Sequence, residues 1–406
     1  MSFLVTDVMI FSYRPVITID GTFLYGKYKQ KLLIAVAMDG ANHIVPLAYA
    51  LVDEESSDTW SWFLEKLLVH VVRDRTNICL ISDRHAGIKK AVEDPHHAVW
   101  PRGWPWRWCI RHVASNFNSK AKNKECKEII KKAAYQFQPR KFRAYFESAK
   151  QTSPWTLKYF KDLPGHMWTR AYDGGVRFGI GTTNMAESYN AMLKNARNLP
   201  VAALVKKTFY GCNEMWNNRK AEASSKIAEG IMLTDYANRK FQRWNKIASA
   251  HQVTLFDFEQ QIFEVVTVPR ATLHGQKGGN IQMVEMVAGK CSCQKWQSYR
   301  IPCSHAMSVM VKKHVECVNH VGQWFFWQNQ FHVYGRSFLP VAGKADWTRM
   351  DLPIWHPFLR CSERLVGRER NAIRMRWTFE RVLDHTRVNT VVGQVTLGEH
   401  ALTGGR

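Results

Sequence analysis

The sequence predicts an α/β protein in which a mixed sheet carries a helical insertion and is followed by a small module built around a Cys/His cluster. Over the first hundred residues, short apolar runs bounded by turn residues alternate with segments of helical periodicity. Residues 118–170 then place aromatic residues at helical intervals among many cations. A compact group of cysteine and histidine residues at 291–305 defines the third part.

The composition indicates a basic protein with room for several domains. The chain has 406 residues, with 57 Lys and Arg against 34 Asp and Glu and a formal net charge of +23. At about 100–200 residues per domain, this length allows two to four domains. The charge excludes an acidic, solvating chain and makes a polyanion the first partner to consider.

Membrane and secreted classes are disfavoured by the same sequence. No segment approaches the ~18 consecutive apolar residues that a bilayer span requires. The N-terminus lacks the basic region and small-residue cleavage site of a signal peptide. Nine cysteines are an odd number without a regular framework, which favours thiols and metal ligands over disulfides. We therefore expect a soluble, intracellular protein.

The first predicted elements form a sheet with one crossover. Residues 39–42 (Asp-Gly-Ala-Asn) predict a hairpin turn between two apolar runs. Residues 59–72 repeat apolar side chains at helical spacing, with Asp58 as the expected N-cap, and residues 86–92 begin another helix. Three meandering strands, a crossover helix and a fourth strand follow from this order. The predicted strands are 16–20, 31–40, 43–52 and 78–83.

The middle of the chain is predicted to be mainly helical. Residues 118–170 contain 13 Lys and Arg against 4 Asp and Glu, an excess of 9 positive charges on a predicted helical insertion of about 118–175. Glycines at 174–175 and 179–181 predict a loop, and residues 184–195 resume a helix. A further helical segment is expected at 201–270, and a short strand precedes the Cys/His cluster.

Two aspartates end predicted strands. Asp20 and Asp83 each follow an apolar run. If these strands are parallel neighbours, both carboxylates project from the same sheet edge, where hard oxygen ligands suit Mg²⁺ or Mn²⁺. Two-metal phosphoryl transfer needs such a carboxylate cluster. Turn chemistry explains either aspartate taken singly, so both interpretations stay open.

A third acid is expected on the helix at 184–195. Its apolar stripe consists of Met185, Tyr189, Met192 and Ala196, which leaves Glu187 on the opposite side, facing a site. A capping box between Asn184 and Glu187 is the alternative that needs no catalysis. The rival acids on spacing alone are Asp39, Asp53, Glu54 and Glu55.

The Cys/His cluster has the donor set of a structural zinc site. Three soft thiolates and one imidazole are the ligands that tetrahedral Zn²⁺ takes, and the apolar run after the histidine fits a helix packed on the site. The neighbouring His314, Cys317 and His320 are poorly spaced for a second site. Whether the module contacts DNA, contacts protein or serves folding stays open. The predicted zinc ligands are Cys291, Cys293, Cys303 and His305.

Several long blocks of this sequence resemble one family. The stretch ITIDGTFLYGKYKQKLLIAVAMDGANHIVPLAYALVDEESSDTWSWFLEKL resembles the opening of the catalytic domain of Mutator-like element (MULE) transposases. ISDRHAGIKKAVE, WCIRHVASNF and TTNMAESYNAMLKNARNLPV resemble its later blocks, in the same order. The pattern C-x-C-x(n)-C-x-H is similar to that of SWIM zinc fingers, which these transposases commonly carry.

The resemblance implies an RNase H-like fold with a DDE metal site. Asp20, Asp83 and Glu187 match the family's three acids, spaced 63 and 104 residues apart. Mg²⁺ or Mn²⁺ is the implied catalytic cofactor, beside structural Zn²⁺. Cys109 and His112 match the family's C-x-x-H pair, for which we expect a position next to the active site, although a buried cysteine and a packing histidine explain the pair equally well.

The implied organisation has five parts. They are an N-terminal lead at 1–15, an RNase H-like transposase domain at 16–200, the helical segment at 201–270, a SWIM-type finger at 280–320 and a basic C-terminal tail at 321–406. At residues 366–370 (Val-Gly-Arg-Glu-Arg) that tail departs from the Gly-Arg-Pro type of family members. Because members usually have a DNA-binding module before the catalytic domain, the chain is interpreted as a truncated element, a fragmentary product or a transposase-derived host gene.

The implied function is metal-dependent DNA strand cleavage and transfer in the nucleus, that is, DNA transposition and recombination. The partners would be double-stranded DNA at transposon terminal inverted repeats and at the target, without a membrane, and homo-oligomerisation is left open. The alternative is a domesticated nuclear DNA-binding regulator without catalysis. The four tryptophans before Cys109, which could stack on an unpaired base, are interpreted as packing residues.

Overall fold

The centre of the molecule is a six-stranded mixed sheet. The computed structural model describes residues 2–5, 13–25, 30–96, 98–272, 275–335, 338, 340, 375–379 and 393–397. The strands of this sheet are β1 (Ser2–Val5), β2 (Val16–Phe23), β3 (Lys31–Met38), β4 (Ile44–Val52), β5 (Cys79–Ser82) and β6 (Trp106–Trp108). Their spatial order is β1-β4-β3-β2-β5-β6.

The strand pairing confirms the predicted mixed α/β sheet. β2, β3 and β4 form an antiparallel meander, whereas β5 runs parallel to β2, and β6 runs parallel to β5. The four predicted strands are present in the predicted order. β1 is an addition at the edge next to β4, within the stretch that was expected to be a short lead. A strand of only four residues leaves little pattern in a sequence.

The crossover helix is α1 (Ser57–Leu67), which continues as a π-helical turn at Leu68–Val72 and is followed, after β5, by α2 (Ala86–Glu93). The predicted N-cap, Asp58, is wrong. Ser56 is the cap, because its hydroxyl accepts a hydrogen bond from the Thr59 amide at 3.2 Å while the Thr59 hydroxyl accepts one from the Ser56 amide at 2.9 Å. Such a capping box satisfies two amides that the first turn would otherwise leave unpaired.

The insertion consists of five helices that pack through aromatic side chains. Phe142, Phe146, Phe160 and Trp168 contact one another with ring centroids 4.5–6.4 Å apart. A loop then leads to α8 (Asn184–Met192). The five helices are α3 (Ile110–Ala121), α4 (Lys124–Ala134), α5 (Pro139–Thr152), α6 (Trp155–Phe160) and α7 (Gly165–Trp168).

The tryptophans before Cys109 serve packing, as interpreted from the sequence. Trp100, Trp106 and Trp108 are buried. Trp106 and Trp108 lie in β6 with their rings edge to face at 5.9 Å, and the Trp106 indole donates a hydrogen bond to the Ser82 hydroxyl at 3.0 Å. Trp104 is partly buried against the edge of Trp100 at 5.6 Å. These contacts anchor β6 beside β5.

The helical segment is shorter than predicted. α9 (Val201–Ala228) and α10 (Asp235–Ala248) are helices, but residues 251–267 form two strands, so the prediction of helix is wrong there. In the second of these strands buried and half-buried side chains alternate, which is the two-residue period of a sheet. The strands that follow α10 are β7 (His251–Asp257), β8 (Ile262–Thr267), β9 (Arg270–Thr272), β10 (Gly275–Lys277), β11 (Ile281–Glu285) and β12 (Lys290–Cys291).

Beyond β12 the chain forms α11 (Lys295–Tyr299), α12 (Ser304–Lys312) and α13 (Trp327–Val333), with 3₁₀ turns at Cys317–His320 and Gln323–Phe325. Residues 321–335 were expected to begin a basic tail. Instead α13 packs on α9, and Tyr334 lies in the core of the main sheet, because this stretch is rich in aromatic residues. β13 (Met375–Phe379) pairs antiparallel with β14 (Gly393–Leu397), and residues 366–370 lie outside the described residues.

Two hydrophobic cores meet at a glycine-rich loop. The first core contains the main sheet with residues from α1–α9 and α13, and the second contains α10, β8, β11, β12, α11 and α12. Gly175 has φ +81°, and a Cβ there would lie 2.8 Å from the Gln297 carbonyl oxygen in α11. A Cβ at Gly179 would lie 2.9 Å from the Tyr299 ring. The loop between α7 and α8 therefore lies directly against α11.

Candidate functional site

Asp20 and Asp83 lie at equivalent register positions of two neighbouring parallel strands. The prediction that Asp20 ends its strand is wrong, because β2 continues to Phe23, whereas Asp83 directly follows β5. β2 and β5 pair in the register Val16 with Cys79 and Thr18 with Ile81. Continuing this register past the end of β5 places Asp20 beside Asp83. The Asp83 carboxylate accepts a hydrogen bond from the His85 amide at 2.9 Å, the turn chemistry considered for it. The turn does not exclude a ligand role, since each carboxylate oxygen has a further lone pair.

The Asp20 carboxyl lies in a partly buried, hydrogen-bonded environment. Burial raises its pKa to about 6, and the negative charge of Asp83 acts in the same direction, whereas a hydrogen bond from Asn190 opposes the rise. The Asn190 amide nitrogen lies 2.8 Å from Asp20 Oδ2. A carboxyl with a raised pKa beside a second carboxylate is a common sign of a functional site.

Glu187 lies on the first turn of α8, which packs on β2 and β3. Its carboxylate contacts the Arg111 guanidinium, accepts a hydrogen bond from the Thr183 hydroxyl at 3.1 Å and lies 3.5 Å from His112 Nε2. The capping box with Asn184 is absent from α8, because the helix begins after Thr183 and no side chain caps it. The Glu187 carboxylate is thus directed at the polar side chains of Arg111 and His112 in α3.

The apolar stripe predicted for α8 needs one correction. Met185 and Tyr189 are buried, and Ala196 is buried beyond the end of the helix, but Met192 is 66% exposed. The helix ends at Met192, earlier than predicted, and this terminal residue faces solvent instead of the sheet.

Cys109 and His112 lie next to these acids. Cys109 precedes α3, and its sulfur accepts a hydrogen bond from the Thr183 amide at 3.3 Å. Although burial of the thiol opposes it, the hydrogen bond and charge of His112 lower the pKa of Cys109 to about 7. The hydrogen bond with Cys109 raises the pKa of His112, and the charge of Asp83 acts in the same direction. The pair therefore bridges the Asp83 and Glu187 sides of the site.

The three predicted acids share a neighbourhood but do not form a tight cluster. His112 interacts electrostatically with Asp20 and Asp83 and lies 3.5 Å from Glu187. Within the part of the chain that the structure describes, three or more ligand atoms from separate residues come within 4.8 Å of one another only at Cys291, Cys293, Cys303 and His305. Asp20 and Asp83 offer oxygen ligands that suit a hard cation, whereas Glu187 is held by Arg111.

Three further residues at this edge were not assigned by sequence reasoning. Asn190 follows Glu187 by three residues and so shares its helix face, a spacing that could have identified it. Arg111 precedes His112 and neutralises Glu187. Glu55, one of the rival acids, lies against Gly21, where a Cβ would be 2.7 Å from its carboxyl group, and it pairs with Lys31 at 3.0 Å.

The other rival acids have structural or solvent-exposed positions. Asp39 is buried, and it accepts hydrogen bonds from the His43 amide at 2.7 Å and from the Tyr334 hydroxyl at 2.8 Å. Asp53 and Glu54 are exposed, and Asp53 accepts a hydrogen bond from the Gln30 amide at 3.0 Å.

The four predicted zinc ligands come together at the start of α12. His305 Nδ1 lies 3.6 Å from the Cys291 sulfur and 3.7 Å from the Cys303 sulfur. With Zn–S of about 2.3 Å and Zn–N of about 2.0–2.1 Å, tetrahedral coordination requires a sulfur–nitrogen separation of about 3.6 Å. The donor set and its spacing therefore fit a structural zinc ion held by all four residues.

Local structure fixes these ligands. Cys291 ends β12, and its backbone exchanges two hydrogen bonds with the Gln297 amide, at 3.2 and 3.0 Å. Cys303 is the N-cap of α12. Hydrogen bonds from the Cys291 and Cys303 thiols lower the pKa of Cys293 well below its ordinary value, so a thiolate is already favoured in the cluster. The second-site candidates lie apart: Cys317 is directed at the Met307 carbonyl, and His320 packs edge-on against Trp296.

Comparison with known families agrees with this geometry. Residues 16–116 match the MULE transposase domain, and residues 280–314 match the SWIM zinc finger. No curated protein matches the chain. The two matches confirm the resemblance stated from the sequence. The chain thus contains a transposase-like domain and a zinc-binding finger, and a transposase domain implies DNA binding in general. In the described residues, no helix is long and apolar enough to cross a membrane.

Proposed function

We propose that this protein is a MULE-type transposase that cleaves and transfers DNA strands with a divalent-metal site at Asp20, Asp83 and Glu187. The observation that carries the proposal is the shared register of Asp20 and Asp83 on the parallel strands β2 and β5. α8 supports it, because this helix donates a hydrogen bond to Asp20 from Asn190 and brings Glu187 within 3.5 Å of His112.

The proposed mechanism assigns a separate role to each residue. Asp20 and Asp83 would hold Mg²⁺ or Mn²⁺, and Glu187 would complete the carboxylate set. When bound, the ions stabilise the attacking and leaving oxygens of an in-line displacement at phosphorus. Asn190 orients the Asp20 carboxylate. Arg111 and His112 hold Glu187 at the edge of the site, where its carboxylate would be available to an ion.

The proposed partners are double-stranded DNA at terminal inverted repeats and at the target, in the nucleus. The net charge of +23 and the transposase domain support a DNA partner. Long inverted repeats in the DNA that flanks the gene would support an active element, whereas a gene without them would indicate a host protein derived from one.

A domesticated DNA-binding regulator without catalysis is the second candidate. One observation favours it: Glu187 is paired with Arg111, and the described residues contain no group of three carboxylate oxygens within 4.8 Å. In this candidate the main sheet and the finger serve as a scaffold.

Nicking of a labelled duplex distinguishes the two candidates. Wild type, Asp83→Asn and Asp53→Asn would be compared with Mg²⁺, with Mn²⁺ and without divalent metal. Asp53 is a matched control, because its exposed carboxylate lies beyond the end of β4 and outside the proposed site. A transposase requires metal-dependent nicking by wild type and Asp53→Asn, lost in Asp83→Asn while DNA binding is retained. Nicking that survives in Asp83→Asn contradicts the assignment, and DNA binding without any nicking supports the regulator.

A further inference from the structure

A cavity with a cationic lining lies between the insertion, α10 and α11. Its volume is about 190 Å³, and it is lined by Phe137, Lys240, Arg243, Trp244, Lys295 and Tyr299. The first of these residues lies between α4 and α5, the next three lie in α10, and the last two lie in α11. Three separate parts of the chain therefore contribute to one concave surface.

The cations of this cavity have no acidic partner among the described residues. Among the described residues of the chain, no ion pair within 4.0 Å involves Lys240, Arg243 or Lys295. Burial lowers the pKa of Lys240, and the positive charges of Arg14, Arg170, Arg243 and Lys295 lower it further. The three lining cations, Lys240, Arg243 and Lys295, thus face one cavity without an acidic partner within 4.0 Å, an arrangement that a bound anion would stabilise.

Aromatic rings hold the cations in place without cancelling their charge. The Lys240 ammonium lies 4.3 Å from the centroid of the Tyr299 ring, and the Arg170 guanidinium lies 5.3 Å from that of Phe137. Phe137 and Trp244 pack against Tyr299 at 5.4 and 5.8 Å. Cation–π contacts of this kind position a cation and leave its hydrogen-bond donors available.

The cavity adjoins the loop that leads to Glu187. Arg170 donates a hydrogen bond to the Gly179 carbonyl at 2.8 Å, and its guanidinium lies 3.3 Å from the position of a Cβ on Gly181. Two residues later, Thr183 binds Glu187. The cavity and the candidate catalytic edge thus flank the same short segment, so one polyanion can contact both.

We propose that this cavity binds a phosphate of the DNA backbone. A phosphodiester group fits the three converging cations, and a DNA backbone bound at the candidate catalytic edge could extend to them. Recognition of a base would instead require hydrogen-bonding groups matched to that base. The contact is independent of DNA sequence and positions the duplex between the transposase domain and the finger. The inference rests on the proposed function in taking DNA as the polyanion.

The test measures the salt dependence of DNA binding. The triple variant Lys240→Gln, Arg243→Gln, Lys295→Gln would be prepared with Asp83→Asn, so that cleavage does not interfere, and its affinity for a fluorescein-labelled duplex followed by anisotropy over a range of salt. Removal of one phosphate interaction lowers the slope of log K against log salt by about 0.9. We expect the slope to fall by about one and the affinity at low salt to fall about tenfold or more.

A charge-matched control uses α10 and the strand β12, which lies close before α11 in the chain. Arg239→Gln, Lys246→Gln and Lys290→Gln remove three exposed cations from α10 and β12 outside the cavity. This variant should keep the slope of Asp83→Asn alone. Zinc content and melting temperature, measured for both variants, show that each is folded.

Three outcomes overturn the inference. Equal slopes for the two triple variants mean that the cavity makes no phosphate contact, although the proposed function stands if both bind DNA. If the cavity variant binds DNA as its parent does but no longer binds a fluorescein-labelled polyglutamate peptide, measured by the same anisotropy method, the cavity is assigned to an acidic protein. If the parent with Asp83→Asn does not bind the duplex even at low salt, the proposed function itself fails.

Discussion

Asn190 donates a hydrogen bond to Asp20 across 2.8 Å and so connects α8 with the strand that carries the first candidate acid. Glu187 lies three residues before Asn190 on the same helix. One helix therefore orients one carboxylate and supplies another. The position of α8 on the sheet therefore determines where both the Asp20 and the Glu187 carboxylates lie.

The first prediction concerns this hydrogen bond and the pH profile. Metal binds the ionised carboxylate, so cleavage should be lost as the pH falls through the pKa of Asp20, which burial raises to about 6. The Asn190 bond lowers that pKa, and Asn190→Ala should therefore move the loss of cleavage to higher pH. Metal-dependent nicking measured from about pH 5 to about pH 8 checks it. An unchanged profile would mean that Asn190 does not position Asp20, and Asn217→Ala on the exposed face of α9 is the control.

The second prediction concerns the stability cost of Asp20. Its pKa is about 6 in the folded protein against 3.8 ordinarily, so the folded state binds more protons and loses stability as the pH rises through this interval. Asp20→Asn removes the charge. It should raise the free energy of unfolding at pH 7 by up to about 3 kcal/mol, since one pKa unit corresponds to about 1.4 kcal/mol.

This gain should be mostly lost near pH 4, because it disappears as the pH falls below the ordinary pKa of 3.8, where Asp20 is protonated in both states. Urea denaturation at both pH values, without divalent metal, measures it. Asp53→Asn should change little at either pH, because that carboxylate is exposed. A variant that is less stable than wild type at pH 7 would contradict a cost arising from burial.

The third prediction separates the zinc ligands from a neighbouring cysteine. Cys303→Ser should remove zinc from the purified protein and melt α12, because the finger depends on the ion. Cys317→Ser changes a buried thiol close by that is directed at the Met307 carbonyl instead, and it should retain one zinc per chain. Zinc stoichiometry and limited proteolysis check both variants. Equal zinc loss in the two would refute the ligand assignment.

The fourth prediction concerns a buried ion pair in the loop before α8. Arg177 Nε lies 3.3 Å from Asp173 Oδ2, and both side chains are almost completely buried. The guanidinium also donates to the carbonyls of Trp108 and Met167, at 3.0 and 2.7 Å. Arg177→Met leaves the Asp173 charge unpaired, so the free energy of unfolding should fall by about 3–5 kcal/mol.

Lys161→Met is the comparison for this pair. Lys161 lies 3.8 Å from Asp162, and both side chains are more than two-thirds exposed. Its loss should change stability by less than about 0.5 kcal/mol. Denaturant titrations of both variants measure the difference, and a similar cost at the two sites would show that burial is not the cause.

The sequence predicted those features whose residues are adjacent along the chain. β3 and β4 of the central meander are almost continuous apolar runs, β2 begins with one, and the four zinc ligands lie within fifteen residues of one another. The parallel register that places Asp20 beside Asp83 comes from the pairing of β2 with β5, which the sequence could suggest only through an acid after each apolar run. Short-range patterns of this kind survive in the sequence because local spacing alone determines them.

Features that depend on distant partners were missed. Asn190 looks like any polar residue on a helix until β2 lies beneath it. Glu187 could be placed on the outer face of α8, but its pairing with Arg111 depends on how α3 packs. The sequence predicts helix for β7 and β8 because they follow two real helices without a glycine or proline break at their start. The aromatic residues after 321 show no regular spacing in the sequence, because most of them pack into the two hydrophobic cores, whose other residues lie mainly far away in the chain.

The close approach at Gly175 and Gly179 has a consequence for modularity. Because the loop between α7 and α8 contacts the backbone of α11 and the ring of Tyr299, the finger cannot be replaced independently of that loop. A finger transplanted from another protein would have to reproduce the path of residues 297–299, or else displace the segment that precedes Glu187. Substitutions in the loop and in α11 must therefore be compatible with each other. A recombination breakpoint between the main sheet and the finger would combine surfaces that do not fit, even where both parts remain folded.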